Sequence, residues 1–449
     1  MKICYSKRTF FVWIIFCMMF LAGKGQETSP LMFLPGVPQA SFENPAIHNQ
    51  TGKLAIGIPL LSGIYANWNS NVSYNSLFSD GFDYSFNNLY NALDEYGNIQ
   101  SGAKIMLFFA SVKYKKTTLS FSVLERGTSS GKINRDLVKM ASDGIIGMYG
   151  TSQTIGPSSF KLWHYKEVGF GVSTEYSPGI DIGIRPKLLF GKYYMNTGDF
   201  NLQVDTDAEN EKLLVFPTGM YKMSGPLLYI NDFKANIFPG DYFFQLRNLG
   251  FALDAGAVIK PNKNAELSFA ITDAGIIGYG HNIFDMNMGQ PMQYKKENLY
   301  QSDKPGADRY IEPWQAIKNI ADSVSYWLVV QDAEKRVITF LPVRLNVAGK
   351  YHFSEKLSVG ASNQLTIYRK QPVNVLSLFV HSNFIQKLEF AGMISLYNIR
   401  EVMPGMAASY TFRRSQIFFA SNNIWGFIDP ASSKHLNLCF GMNFLFDTQ

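Results

Sequence analysis

Cysteine is nearly absent from this chain of 449 residues, which carries only Cys4, Cys17 and Cys439. The first two fall in the leader described below, so a single thiol remains and an intrachain disulfide is excluded. Charged residues are also scarce, at 17%. The formal charge of +6 comes largely from the leader. Beyond it, 37 Lys and Arg face 35 Asp and Glu, a balance that gives no footprint for nucleic acid. No stretch reads as a transmembrane helix, and the mean hydropathy is −0.05, so any passage through a membrane must be made by strands.

Chemistry-bearing motifs are missing as well. There is no nucleotide-binding loop, zinc signature or cysteine cluster. The six histidines (His48, His164, His281, His352, His381 and His435) include no two at i, i+2 or i+4 spacing. No catalytic, cofactor or metal site is expected, and the chain reads as a non-enzyme. A barrel enzyme with a Ser/His/Asp group assembled from separate strands is the least favoured alternative.

What the sequence does have is alternation. In the last strand, Leu436, Leu438, Phe440, Met442, Phe444 and Phe446 take one side, against Asn437, Cys439, Gly441 and Asn443; only Leu445 breaks the rule. A period of two sends these sets to opposite faces of a β-strand. The pattern recurs at Leu54–Leu60, Lys104–Val112, Thr117–Leu124, Val168–Tyr176 and Ile180–Ile184. It returns at Phe251–Ile259, Leu267–Ile271, Val343–Tyr351 and Leu357–Ile367, then in three further runs up to Phe412 and in Ser415–Asn423. Ser177-Pro178-Gly179 joins two such runs as a hairpin turn, since Pro fixes φ and Gly accepts a positive one. Aromatic residues make up 15% of the chain, as expected of the interfacial girdles of a membrane barrel.

The N-terminus has a basic start (Lys2, Lys7, Arg8), an apolar run Phe10–Ala22 and small residues at Gly23 and Gly25. This is the layout of a secretory signal peptide over residues 1–25, cleaved after Gly25. Residues 26–50 are rich in Pro and lack periodicity, which makes them a poor ladder partner. Residues 51–449 read as the barrel. The fold class is therefore all-β: a transmembrane antiparallel β-barrel of about 14 strands in the cell outer membrane, with an N-terminal lumen segment and a few short helices in its loops. Helical spacing appears at Phe86, Leu89, Tyr90 and Leu93, at Ile133, Leu137 and Met140, and at Ile317, Ile320, Ala321, Val324 and Leu328.

Glu167, Glu175, Asp181, Arg185 and Arg344 fall on the polar faces of predicted strands and are candidate lumen-lining residues. Asn443 is expected on the wet lumen face and Phe440 on the lipid face, so that Phe440→Arg should impair assembly more than Asn443→Arg.

Several pieces together resemble a known family. They are Asn44-Pro45-Ala46, the Gly-rich strand pair Val168–Gly191, the Lys260-Pro261-Asn262 turn with Ile271-Thr272-Asp273-Ala274-Gly275, and Tyr351-His352-Phe353-Ser354. They resemble the uncharacterised outer-membrane barrels of Bacteroidota, similar in architecture to the long-chain fatty-acid transporter barrels. The resemblance implies that Asn44, Pro45 and Ala46 belong to a segment that plugs the lumen. It implies partners in outer-membrane lipid, in the barrel-assembly machinery (through Phe444 and Phe446) and in a hydrophobic small molecule, with no nucleic acid and no cofactor. The expected function is binding or passage of a hydrophobic or small polar solute. The alternative is a non-transporting scaffold for secretion or surface-assembly partners.

Overall fold

A computed structural model describes residues 30–48, 52–77, 86–143, 150–207, 209, 212–225, 239–288, 292–295, 328–332, 335–368, 371–398, 401–430 and 432–446. The leader and the helical pattern at 317–327 lie outside these residues. Leu328, assigned to that helix from its spacing, instead opens a short strand, Leu328–Asp332.

Fourteen antiparallel strands close into one barrel. The first, β1, comes in two pieces, Leu54–Gly57 and Ile64–Ser70. It is followed by β2 (Tyr96–Tyr114), β3 (Thr117–Asn134), β4 (Ser152–Ser177) and β5 (Ile180–Asn196). Next come β6 (Leu249–Ile259), β7 (Ala265–Tyr279) and β8, again in two pieces, Val337–Phe340 and Val343–Ser354. The rest are β9 (Leu357–Tyr368), β10 (Gln371–Ser382), β11 (Leu388–Tyr397), β12 (Glu401–Phe412), β13 (Ser415–Ser421) and β14 (His435–Phe446). Each strand pairs with the next, and β14 closes the ring on both pieces of β1, with Leu54 opposite Phe446 and Ile64 opposite Phe440. Closure leaves no strand edge to hydrate, which is the condition for a sheet to span hydrocarbon.

The connections differ at the two ends. Tight turns at Lys115–Lys116, Pro178–Gly179, Glu355–Lys356 and Arg413–Arg414 lie at one end. Gly179 takes φ +81° there, and a Cβ on it would stand 2.9 Å from the Lys260 carbonyl oxygen, so glycine is required. At the other end the connections are long and carry α1 (Phe86–Ala92), α2 (Arg135–Asp143), α3 (Pro239–Phe244) and α4 (Trp425–Ile428). The first two helices fall where the spacing placed them, and Leu89, Leu93 and Val138 pack there with Val72. The strands at this end outrun the nine to eleven residues that cross a bilayer. β4 alone has 26 residues, because its upper part leaves the barrel ladder to pair with a hairpin strand, Phe200–Asp207.

The faces divide as the alternation requires. Ile182 and Ile184 are exposed while Asp181, Gly183 and Arg185 between them are buried. Phe170, Val172, Phe251, Leu253, Leu267, Phe269, Leu376 and Leu378 continue the exposed apolar band around the wall. Phe440 lies on this outer face and Asn437, Cys439 and Asn443 on the inner one. Phe440→Arg is expected to cost about 2–4 kcal/mol of barrel stability, as for arginine on a lipid face near the midplane. Measured in lipid vesicles, its yield of heat-modifiable barrel should fall well below that of the parent protein; equal yields would reject the face assignment.

Candidate functional site: the filled lumen

Residues 30–48 lie inside the barrel. Pro30, Pro35, Pro38 and Pro45 fix φ and remove donors, so this stretch cannot join a ladder. It forms short 3-10 turns at Pro30–Phe33 and Pro38–Phe42. Leu31, Phe33, Leu34 and Val37 pack against the inward Tyr65, Phe379, Met393, Phe418 and Cys439, with Phe33 and Phe379 stacked at 4.2 Å.

Polar contacts hold the next turn. The Gly36 amide donates to Glu389 at 3.3 Å, and its carbonyl accepts from the Gln416 side chain at 2.9 Å. The Gln39 side-chain amide donates to the Ser62 carbonyl (2.8 Å) and to Asn443 Oδ1 (2.7 Å), while Asn443 Nδ2 donates to Gln39 Oε1 (2.9 Å) and Gln416 Oε1 (3.1 Å). Asn443 is thus wholly enclosed: its face is inward, as the alternation places it, and it is packed against the lumen segment instead of lining open water.

Asn44, Pro45 and Ala46 sit against the wall at a pair of facing glycines. Asn44 Oδ1 accepts the Ala46 amide at 2.9 Å, a side-chain turn, while Nδ2 donates to Ser268 Oγ at 2.7 Å. Gly183 of β5 is paired with Gly256 of β6. A Cβ on Gly183 would come within 2.2 Å of the Pro45 carbonyl oxygen, and one on Gly256 within 2.0 Å of Asn44 Oδ1. Only glycine lets the segment approach the wall this closely.

Above this contact lies a buried group of charges. A bulge opposite Leu253 and Ala255 of β6 displaces β7, and Asp273 takes the left-handed backbone region there, at φ 60°. This turns its carboxylate inward, where Lys187 donates at 2.6 Å, Arg344 at 2.8 Å and Arg126 at 3.0 Å. Lys187 also meets Asp254 at 2.7 Å and Glu167 at 3.6 Å, and Arg126 meets Glu167 at 3.1 Å. Arg185 approaches Asp254 at 3.8 Å, donates to Ser41 Oγ at 2.9 Å and lies over the Phe42 ring at 4.2 Å. Glu43 reaches Arg344 at 3.7 Å. Four carboxylates (Glu43, Glu167, Asp254, Asp273) therefore face four cations (Arg126, Arg185, Lys187, Arg344), all buried.

Of the five residues singled out from the sequence, Glu167, Arg185 and Arg344 enter this group. Asp181 lies nearer the tight turns, 2.9 Å from Lys260 and 3.1 Å from His48 at the end of the lumen segment. Glu175 pairs with Lys116 beside the Lys115–Lys116 turn, partly exposed. Lys187 and Asp254 lie on the same inward faces as Arg185 and Ala252, so alternation alone marks them as lumen-facing. Arg126 lies two residues beyond the predicted strand end. Asp273 was hidden because its bulge breaks the period.

A cleft lined by Ser41, Pro45, Ser111, Ser120, Ser173 and Arg185 has about 10 Å³, room for one water. A larger hollow of about 520 Å³ lies among Phe170, Leu188, Phe251 and Leu253 on the outer, apolar side. Among the described residues no group of His, Cys, Asp and Glu is arranged to hold a metal ion. Near the tight-turn end, Ser358 lies 3.4 Å from His381 Nδ1 and Glu389 lies 2.9 Å from Nε2, but Ser358 is buried beneath the Gly36 contact to the same Glu389.

Fold and lumen together define a transmembrane β-barrel of fourteen strands with a segment of its own chain inside. The chain belongs to a family of unknown function (DUF5723), which matches residues 45–422. No curated protein sequence matches it. It is similar in structure to the Ralstonia pickettii toluene transporter TbuX (8% identity, TM-score 0.46, covering 91% of this chain and 94% of that one). It is likewise similar to a Pseudomonas aeruginosa FadL homologue (12%, 0.46, 95% and 99%) and to the P. putida toluene transporter TodX (9%, 0.44, 91% and 94%).

Two substitutions test the lumen. Asp273→Ala leaves three buried cations without their shared carboxylate and should cost about 3–5 kcal/mol, read as a lower urea midpoint for the vesicle-bound barrel. Gly183→Val should expel Asn44–Ala46 from the wall, so that proteinase K cuts the N-terminal segment of the variant and spares it in the parent, while the barrel stays heat-modifiable.

Proposed function

We propose that the protein is an outer-membrane barrel that binds or passes a small solute, and that residues 30–48 are its removable plug. The observation that carries this reading is the manner in which the segment is held. It shares no ladder with the wall; it rests on side-chain hydrogen bonds, the ion pairs of Glu43 with Arg344 and of His48 with Asp181, one apolar cluster and the fit at Gly183 and Gly256. Water can replace the hydrogen bonds at little net cost, since each is worth only about 0.5–1.5 kcal/mol. A solute in the vacated lumen would meet the charged group around Asp273, which favours a small polar solute over a hydrophobic one. The tight turns then face the periplasm and the long connections the exterior, the usual arrangement of such barrels. Lipid is the partner of the apolar band, and the outward Phe444 of β14 is the candidate contact for the assembly machinery. We read the protein as non-enzymatic, with the Ser358, His381 and Glu389 contacts serving to hold the wall and the Gly36 amide.

The filled lumen favours a second reading, a non-transporting scaffold that presents its long connections to secretion or surface-assembly partners. One experiment separates the two. Deletion of residues 27–50 should leave a heat-modifiable barrel whose planar-bilayer conductance exceeds that of the full chain. A folded deletion variant with unchanged conductance rejects the plug and favours the scaffold.

A further inference from the structure

A second charged group lies on the opposite side of the same wall. Arg126, Tyr165 and Glu167 point into the lumen, so by alternation Glu125 and Lys166, paired with each other across β3 and β4, point outward. They stand one step beyond the outward Val123 and Val168, at the edge of the apolar band on the side of the long connections. Glu125 Oε1 is 2.6 Å from Lys192 and 3.6 Å from Lys166, and Oε2 is 3.0 Å from His164 Nε2. Lys192 faces outward by the alternation that sends Arg185, Lys187 and Leu189 inward, and it is the extra residue of a bulge, with Tyr165 opposite Gly191 and His164 opposite Tyr193. Ionised groups facing outward at this height would border hydrocarbon, yet Glu125, His164, Lys166 and Lys192 are all buried.

The cover is α3. Its Phe243 carbonyl accepts from Lys166 at 2.8 Å and from Lys192 at 2.9 Å, and the Tyr242 hydroxyl meets His164 Nδ1 at 2.5 Å. Gln245 donates to the Lys192 carbonyl at 3.2 Å as the chain returns to β6. Burial pushes the Tyr242 phenol up, so it stays a neutral hydrogen-bonding group. Large apolar side chains stand on the outer surface of this cover: Phe244 is 79% and Leu246 59% exposed, and beyond the exposed Arg247 they run on to the exposed Leu249 that opens β6 and its band.

We propose that α3 and the residues after it form an interfacial foot that rests in the bilayer at headgroup depth, clamped to the outer wall by the Glu125, His164, Lys166 and Lys192 group. The partner is the lipid surface itself, because the exposed apolar side chains are continuous with the band that already meets lipid. Aromatic side chains settle at that depth in membrane proteins generally. The foot shields the charged group from the acyl chains and sets how deep the barrel sits on this side.

The test places the environment-sensitive fluorophore NBD on a cysteine introduced at Phe244, or at the exposed Gln203 as a control, in a Cys439→Ser background. Both proteins are folded into phosphatidylcholine vesicles containing lipids spin-labelled at the headgroup or mid-chain. NBD at 244 should emit to the blue and be quenched best by headgroup labels, whereas NBD at 203 should be quenched by aqueous iodide alone. Tyr242→Ala, which leaves the barrel wall intact, should shift the 244 probe toward water. Equal iodide quenching at 244 and 203 in folded barrels overturns the foot. An unchanged depth in Tyr242→Ala, and again in Lys192→Ala, overturns the clamp.

Discussion

The lumen is organised around the carboxylate of Asp273. Three cations from three other strands, Arg126, Lys187 and Arg344, donate to it at 2.6–3.0 Å, and all three are buried. A carboxylate with three such donors exists here only because β7 carries a bulge that holds residue 273 in the left-handed region, where Asp is among the better tolerated side chains. The Asp273 amide donates to Asp254 at 2.7 Å, so the bulge and the second carboxylate fix each other. Buried charges carry a large desolvation cost unless each is matched, and the matching is complete at four against four. The fourth carboxylate, Glu43, belongs to the lumen segment, and so does Ser41, which accepts from Arg185. Wall electrostatics and the seating of residues 30–48 are therefore one problem.

That seating combines two unlike surfaces. Toward β10 to β14 the segment is largely apolar, with Phe33 stacked on Phe379 and Leu34 fully buried, beside the polar contacts of Gly36 and Gln39 to Glu389, Gln416 and Asn443. Toward β5 to β8 it is polar and close-fitting, with Asn44 and Pro45 pressed against Gly183 and Gly256. Apolar contact is indifferent to small shifts, whereas a glycine pair that admits a backbone within van der Waals distance is not. The apolar half supplies affinity, and the Asn-Pro-Ala contact sets position.

Most of the barrel was legible because its outward residues are uniformly apolar and a strand has a strict period of two. Leu436 to Phe446 and Val168 to Tyr176 needed no other information. Pro30, Pro35, Pro38 and Pro45 likewise marked a stretch unable to pair. The site was less legible for a physical reason. Alternation says which face a charge takes, not its height along the strand or its partner, so Glu175 and Asp181 looked equivalent to Glu167. Height depends on register and strand tilt, which are properties of the closed ring. Asn443 shows the same limit: its face was correct, yet nothing in the alternation told a packed lumen from a wet one. Asp273 was invisible because the bulge that makes it useful also removes it from the period.

Glu125 and Arg126 are adjacent in sequence and serve opposite faces of one strand, each at the centre of an ionic group that the wall alone leaves incomplete. Inside, Arg126 joins a group balanced by Glu43 from residues 30–48. Outside, Glu125 gathers two lysines and a histidine, and both lysines also donate to the Phe243 carbonyl of α3. A sheet two faces thick has no interior of its own in which to bury a charge. Each group must borrow a cover from chain that is not part of the ladder. The two non-ladder elements, one within the lumen and one against the outer wall, are in this sense the same structural device applied to the two faces of β3, β4 and β5. Their difference follows from what lies beyond each cover: lumen contents on one side, and the apolar band on the other.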